Sequence, residues 1–238
     1  MKTCILIQTC DKYTHLWEGL QLSYHFNWCW DLNLPIYVLT EEKHFSNDKR
    51  FKTLSFGYCG NPPYNFSNRL IKSLEYLKSI GYDSILYTQD DFWPLKDVSY
   101  KIMSESLNFL NNNNVDCIHV NEYLPWYQYT LSKTDHYIEG KQLRKYEVPS
   151  MYYYNHQAAF WKIDSLLKIQ NYDESVSIGG DSDNECKGTE RAWNIESNYY
   201  FLSYDWYKAE FINSKGILLP TAESLVRDWK WRLNWENN

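Results

Sequence analysis

The sequence has no run of eighteen or more apolar residues, so no segment is long enough to cross a bilayer as a helix. Its opening, Met1-Lys2-Thr3-Cys4-Ile5-Leu6-Ile7, holds too short an apolar stretch for a signal-peptide core. The expectation is a cytoplasmic chain (host cytoplasm if viral), soluble or at most peripherally attached to a membrane. Six cysteines are present, but no two form a CxxC pair and no spacing repeats. That pattern argues against zinc ribbons and disulfide frameworks, and a reducing compartment is the simplest setting. Positive charge is short as well: 24 Lys and Arg against 30 Asp and Glu give a net charge of −6. A general nucleic-acid binder wants the opposite balance. Neither GxGxxG nor GxxxxGK[ST] occurs, so no glycine-rich loop cradles a phosphate. Internal repeats and low-complexity linkers are also missing.

What remains is a chain of 238 residues, 44% hydrophobic and 23% charged, long enough to bury a full core without metal or disulfide staples. Aromatic residues reach 18%, with 22 Tyr and 11 Trp. Such faces suit sugar rings and nucleobases. An AT-rich genome accounts for the count equally well.

The patterning is that of an α/β protein. Residues 3–9 form a short apolar run that reads as a buried parallel strand. Tyr13, Leu16, Trp17, Leu20, Tyr24 and Trp28 then recur at helical spacing, and Ile36 to Leu39 make a second strand after Pro35. Strand, helix, strand is a βαβ unit, which requires a parallel sheet. The pattern returns with a helix through Leu70, Leu74, Leu77 and Ile80, capped by Ser67 and ended by Gly81. Ser84 to Thr88 is a strand, Met103, Leu107 and Leu110 mark a helix, Asn111 to Asn114 a loop, and residues 115–120 a strand. Residues 121–150 read as a long excursion over the sheet, and residues 158–163 as a strand with Asp164 capping a short helix. A loop over 177–183, a helix around 190–196, a short strand at 217–219 and a helix through Ala222, Leu225, Val226 and Trp229 complete the chain. Its polar face carries Lys230 and Arg232, more simply a solvated face than an anion-binding one.

Ligands of open α/β sheets bind beyond the carboxyl ends of the strands. Those ends read Thr9-Cys10-Asp11, Thr40-Glu41-Glu42, Gln89-Asp90-Asp91 and His119-Val120-Asn121-Glu122. Acidic strand ends take phosphates through a divalent cation, since a hard metal accepts carboxylate and phosphate oxygens together. Gln89-Asp90-Asp91 is the sharpest feature: two adjacent carboxylates repel unless a cation or strong donors neutralise them. A turn that merely stops the strand before Phe92-Trp93-Pro94 is the plainer alternative.

The stretch Ile85-Leu86-Tyr87-Thr88-Gln89-Asp90-Asp91-Phe92 resembles the acidic, metal-binding strand end of GT-A glycosyltransferases, with Gln89 departing from the DXD pattern. Four further segments resemble that fold in order. Residues 5–13 are similar to its first strand and nucleotide loop, and Ser67-Asn68-Arg69-Leu70 to the helix start before the acidic strand. His156-Gln157-Ala158-Ala159-Phe160-Trp161-Lys162 resembles the acceptor-side strand of small bacterial and large-virus transferases. Ala192-Trp193-Asn194-Ile195-Glu196 resembles their later W-x-F-E motif. The resemblance implies a single GT-A, Rossmann-like domain with a mostly parallel central sheet flanked by helices. Residues 1–122 would bind the nucleotide sugar and 123–238 the acceptor.

The same resemblance implies a hexosyl- or pentosyltransferase of glycan biosynthesis. It would use a nucleotide-sugar donor (UDP by default), Mn²⁺ or Mg²⁺, and a glycan or other hydroxyl acceptor. A cation bridging both phosphates stabilises the diphosphate as it leaves. Asp91 is the first metal ligand, Asp90 the ribose or second metal contact, and His156 a further metal or diphosphate candidate. Thr9, Asp11, Tyr13, Glu41, Arg69 and Gln89 are donor contacts, although Tyr13 also fits the apolar stripe of the first helix. Inversion needs one general base. Glu196 and Glu190 are the candidates, with Trp193 between them as a sugar platform; Asp181 and Asp183 are a third option. Trp161 and Tyr153 would line the acceptor groove. The rivals are a sugar nucleotidyltransferase, which would want a basic glycine loop after the first strand, and a non-catalytic carbohydrate-binding protein.

Overall fold

A computed structural model describes residues 1–59, 65–120, 130–150, 152–170, 181–195, 197–208, 212–214 and 217–236. The chain forms β1 (Thr3–Gln8), α1 (Thr14–Asn27), β2 (Ile36–Thr40), β3 (Phe51–Ser55), α2 (Asn65–Ser79), β4 (Ser84–Gln89), β5 (Trp93–Pro94), α3 (Tyr100–Asn112) and β6 (Cys117–His119). It continues through β7 (Leu131–Ile138), β8 (Lys141–Tyr146), β9 (Ala159–Lys162), α4 (Ile163–Gln170), α5 (Asp181–Asn194) and β10 (Tyr199–Phe201). Short strands β11 (Tyr207–Lys208), β12 (Asn213–Ser214) and β13 (Ile217–Leu218) precede the last helix, α6 (Pro220–Glu236).

Among the described residues, nine strands make one sheet in the order β3-β2-β1-β4-β9-β6-β10-β8-β7. Within it only β8 and β9 run against the others. Every residue of β1 and β2 is buried, as expected for strands covered on both faces. One core cluster joins Ile5 and Ile7 of β1 to Leu16, Trp17, Leu20, Ile102, Met103, Ala222 and Trp229 of α1, α3 and α6. A second joins Cys4 and Leu6 to Leu70, Leu74, Leu166, Ile169 and Ala192 of α2, α4 and α5. Gly19 of α1 lies beneath the Trp93 ring, where a Cβ would come within 1.9 Å of ring carbon, so only glycine lets helix and indole meet.

Three regions depart from the sequence reading. The excursion over 121–150 contains β7 and β8, a hairpin that extends the sheet, while residues 121–129 lie outside the described ones. The mostly exposed and half-buried side chains of β7 hide its strand character from an apolar-run criterion. The helix predicted to stop before Asn111 runs on to Asn112, and the 177–183 loop is a helix from Asp181 onward. The strand over 158–163 is present as β9, inserted antiparallel between β4 and β6.

The order β3-β2-β1 to one side and β4 to the other means that the chain reverses its direction of travel beside β1. The crevice at such a switch, outside the carboxyl ends, is where open α/β sheets bind ligands.

Candidate functional site at the carboxyl ends of the strands

The ends of β1, β2 and β4 meet through side chains that the sequence reading had singled out. The Thr9 hydroxyl accepts the indole N–H of Trp17 at 2.8 Å and donates to the Asp90 carboxyl, so one threonine ties α1 to the tip of β4. Asp90 N–H reaches the carbonyl of Gln8 at 3.1 Å, and its own carbonyl accepts Trp93 Nε1 at 2.9 Å. The Asp90 side chain is thereby turned inward and buried. Burial first, and the adjacent Asp91 charge second, hold its carboxyl well above the ordinary carboxylate range, against the opposing pull of Thr9 and Arg69.

Asp11 and Glu41 clamp each other. The Asp11 carboxylate accepts the backbone N–H groups of Glu41, Glu42 and Lys43 at 3.1 to 3.3 Å. The Glu41 carboxylate accepts Asp11 N–H at 2.9 Å. Both acids are therefore engaged in joining the turn after β1 to the turn after β2. Arg69, only 2% exposed, donates Nη1 to the Thr9 carbonyl at 2.8 Å and approaches Glu41 to 3.9 Å, while its Nε meets no acceptor. A guanidinium buried beside strand ends, with a donor to spare, is suited to an anionic ligand. Cys10 stands in the same cluster, its thiol pushed up chiefly by burial. Gln89 and Asp91 are half-buried at the tip of β4, and Tyr13 is partly buried against the α1 core.

His156 lies just ahead of β9 at this same edge, where Ala159 pairs with Tyr87 and His119. Its ring meets the Tyr87 hydroxyl at 3.1 Å and the edge of Phe66, and its backbone N–H donates to Glu185 at 2.8 Å. The start of α5 is held here too, by Asn184 Nδ2 on the Ser67 hydroxyl at 2.6 Å.

The acceptor-side residues are placed differently from expectation. Trp161 is fully buried, packed edge-on against Tyr199 and Tyr154, and Tyr153 stacks on Tyr199 with its hydroxyl on the Ser197 carbonyl. Both are core residues, because their strand and turn point into the layer beneath α4 and α5. Trp193 is partly buried against that layer. Helix α5 runs from the carboxyl edge, at Asn184, to the opposite edge, where Asn198 bonds Asp116 ahead of β6. At about 1.5 Å per residue, Glu190 is about 9 Å further along the axis than Asn184, away from the strand tips. The helix ends at Asn194, and Glu196 lies outside the described residues. The first turn of α5, with Asp181 and Asp183, is instead the part at the strand-end edge. Sequence reading missed Trp17 and Glu185 in this cluster; neither carries a motif, and only the crossing of α1 and α5 over the sheet brings them in.

A divalent cation can be tested against these groups. Asp90 is turned inward and favours its protonated form, and among the described residues no group of three or more His, Cys, Asp or Glu is arranged to hold a metal. Asp91 is the half-buried carboxylate that follows Asp90 in the turn. Mg²⁺ keeps several waters and is usually held by one or two carboxylates plus substrate phosphates, so a single carboxylate here would need phosphate oxygens to complete a cation's shell.

No protein-family model matches the sequence, and no curated protein matches it. Solved structures do. CMP:2-keto-3-deoxy-manno-octonic acid synthetase complexed with CTP superposes with a TM-score of 0.52 at 10% identity, covering 98% of this chain and 99% of that one. S. aureus TarS 1–349 in complex with UDP gives 0.51 at 13% identity, and with UDP-GlcNAc 0.50 at 11%, each over 87% of this chain. The chain spans about 60% of the UDP complex's length and 58% of the UDP-GlcNAc complex's. At such identities the likeness is one of fold. The chain is a mixed α/β protein of the GT-A-like, Rossmann type, with a large, mostly parallel central sheet flanked by helices.

Proposed function

We propose that the chain is a metal-dependent glycosyltransferase that moves a sugar from a nucleotide-sugar donor, UDP-linked by preference, to a hydroxyl of a glycan or similar acceptor. The observation that carries this reading is the pinned acidic turn Asp90-Asp91 at the topological switch, with the buried Arg69 beside it. Residues 1–122 hold the donor and 123–238 the acceptor. Asp91 would hold Mn²⁺ or Mg²⁺, which supplies charge stabilisation to the departing diphosphate. Arg69 adds fixed positive charge at the same edge. Asp90, through Thr9 and Trp17, keeps the turn in place. Glu196 and Glu190 are the general-base candidates, with Asp181 and Asp183 as a third option; the position of the first turn of α5 at the strand-end edge supports that third option.

A second reading, a sugar nucleotidyltransferase, is favoured by the near end-to-end superposition on the CTP-bound synthetase. Against it stands the segment after β1, a single 3-10 turn over Asp11–Tyr13 whose acid is spent on backbone amides, where a triphosphate would need a basic glycine loop. The experiment is product analysis. Incubation with UDP-sugars, Mn²⁺ and a glycan panel should release UDP and extend an acceptor. Pyrophosphate release from CTP or UTP with a free sugar, and no UDP release, would establish the second reading instead.

A further inference from the structure

The segment that follows β3 reaches the same strand-end edge and carries Tyr58, whose ring is 62% exposed. Its neighbours are turned the other way. Phe56 packs edge-on against Tyr76 of α2, and Cys59 is buried, its thiol on the Phe56 carbonyl at 3.4 Å. Gly57, at φ +66°, turns the chain through the left-handed region that glycine adopts freely. The segment is fastened on both sides. Gly57 N–H donates to the Glu41 carbonyl at 2.9 Å, and the Ser55 hydroxyl donates to the same oxygen. On the other side the Cys59 carbonyl accepts Nδ2 of Asn68, in α2, at 2.9 Å. Tyr58 is thus carried on a pinned support with its ring in solvent. The acids after β1 and β2 lie close to it: the charge of Glu41 first, with Glu42 and Asp11 adding, raises its phenol.

The order of the strands gives that ring an address. The cation and diphosphate are assigned to Asp91, after β4, and β9 next to it belongs to the acceptor half. A transferred sugar therefore points toward β9, and the ribose and base run the other way, over β1 and β2 toward β3. From β4 to β3 is three strand spacings, about 14 Å, within reach of an extended nucleoside diphosphate. We infer, on the reading that this edge binds a nucleotide sugar, that Tyr58 is the platform on which the donor's nucleobase stacks, through the face of its ring and not through its hydroxyl. Every base has a π-face, so such a platform supplies affinity without choosing among bases. Because the segment is already fixed, little conformational freedom is lost when the base settles on it.

The test is titration of UDP with Mg²⁺ into wild type, Tyr58→Phe and Tyr58→Ala, by calorimetry and by proton NMR of the ligand. Tyr58 is exposed, so both variants should keep the near-ultraviolet dichroism of the packed aromatic core. Tyr58→Ala should weaken UDP about tenfold, while Tyr58→Phe, which keeps the ring, should stay within about twofold of wild type. Ring current should move the uracil H5 and H6 resonances upfield on binding to wild type and to Tyr58→Phe, and less on binding to Tyr58→Ala. UDP held equally by wild type and Tyr58→Ala would overturn the platform and leave the proposed function standing. A loss in Tyr58→Phe as large as that in Tyr58→Ala would do the same, since it would put the contact on the hydroxyl. UDP bound by none of the three, with the core intact, would overturn the proposed function and the platform with it.

Discussion

His119 makes the stability of this protein sensitive to acid in a calculable way. It ends β6, is fully buried, and packs against the rings of Tyr146 at 5.3 Å and Trp161 at 6.1 Å, with neither ring nitrogen in a hydrogen bond. Burial pushes its pKa down from 6.5 to about 3. Between those values the unfolded chain binds a proton that the folded chain refuses, so stability is lost as pH falls below 6.5 toward 3. Each pH unit in that window costs about 1.4 kcal/mol, which makes the loss about 2–3 kcal/mol on going from neutral pH to about pH 4.5. Asp90 works in the opposite sense. Its raised folded pKa means that its penalty, present at high pH, is relieved on acidification. The His119 contribution is therefore isolated by difference: urea unfolding of wild type and His119→Phe at neutral and acid pH, with near-ultraviolet dichroism confirming packed aromatics. The variant should lose about 2–3 kcal/mol less than the wild type over the interval. Parallel pH curves for the two proteins would refute the reasoning.

Two more perturbations follow from the same packing. Asp90→Asn keeps the shape of the side chain and removes its charge; its stability relative to wild type should increase as pH rises above the ordinary carboxylate range in chemical denaturation, and a difference independent of pH would contradict a raised carboxyl at this position. Gly188 of α5 faces Tyr154, and a Cβ there would come within 2.3 Å of the ring, so Gly188→Ala should destabilise by about 1–3 kcal/mol despite its better helix propensity, with a rise in melting temperature as the contrary result.

Much of the donor side was legible because its physics is local. The apolar runs of β1, β2 and β4 have to be covered on both faces, and the acids that follow them have to lie at one edge of a parallel sheet. Which acids are free for a ligand is not local. Asp11 and Asp90 look alike in sequence, yet one is spent on three backbone amides of the neighbouring turn and the other is bound inward by Thr9. The acceptor side was harder for the same reason. Trp161 alternates with Phe160 on β9, and since both faces of that strand are covered, no exposed side remained for an aromatic platform. The direction of α5 across the sheet decides that Asp181 and Asp183 belong to the strand-end edge and Glu190 does not, and spacing within the helix carries no information about it. The polar hairpin of β7 and β8 lacks the apolar run by which the central strands announce themselves.

The most direct test of the central claim is calorimetric titration with UDP-GlcNAc, with Mn²⁺ and with EDTA, on wild type and Asp91→Asn. The account predicts binding that requires the cation in the wild type and is lost or weakened at least tenfold in the variant, about 1.4 kcal/mol or more. Binding of equal strength in EDTA, or in Asp91→Asn, would contradict the role given to the acidic turn. No binding of this donor or of GDP-, dTDP- or CMP-sugars under any condition would contradict the transferase itself.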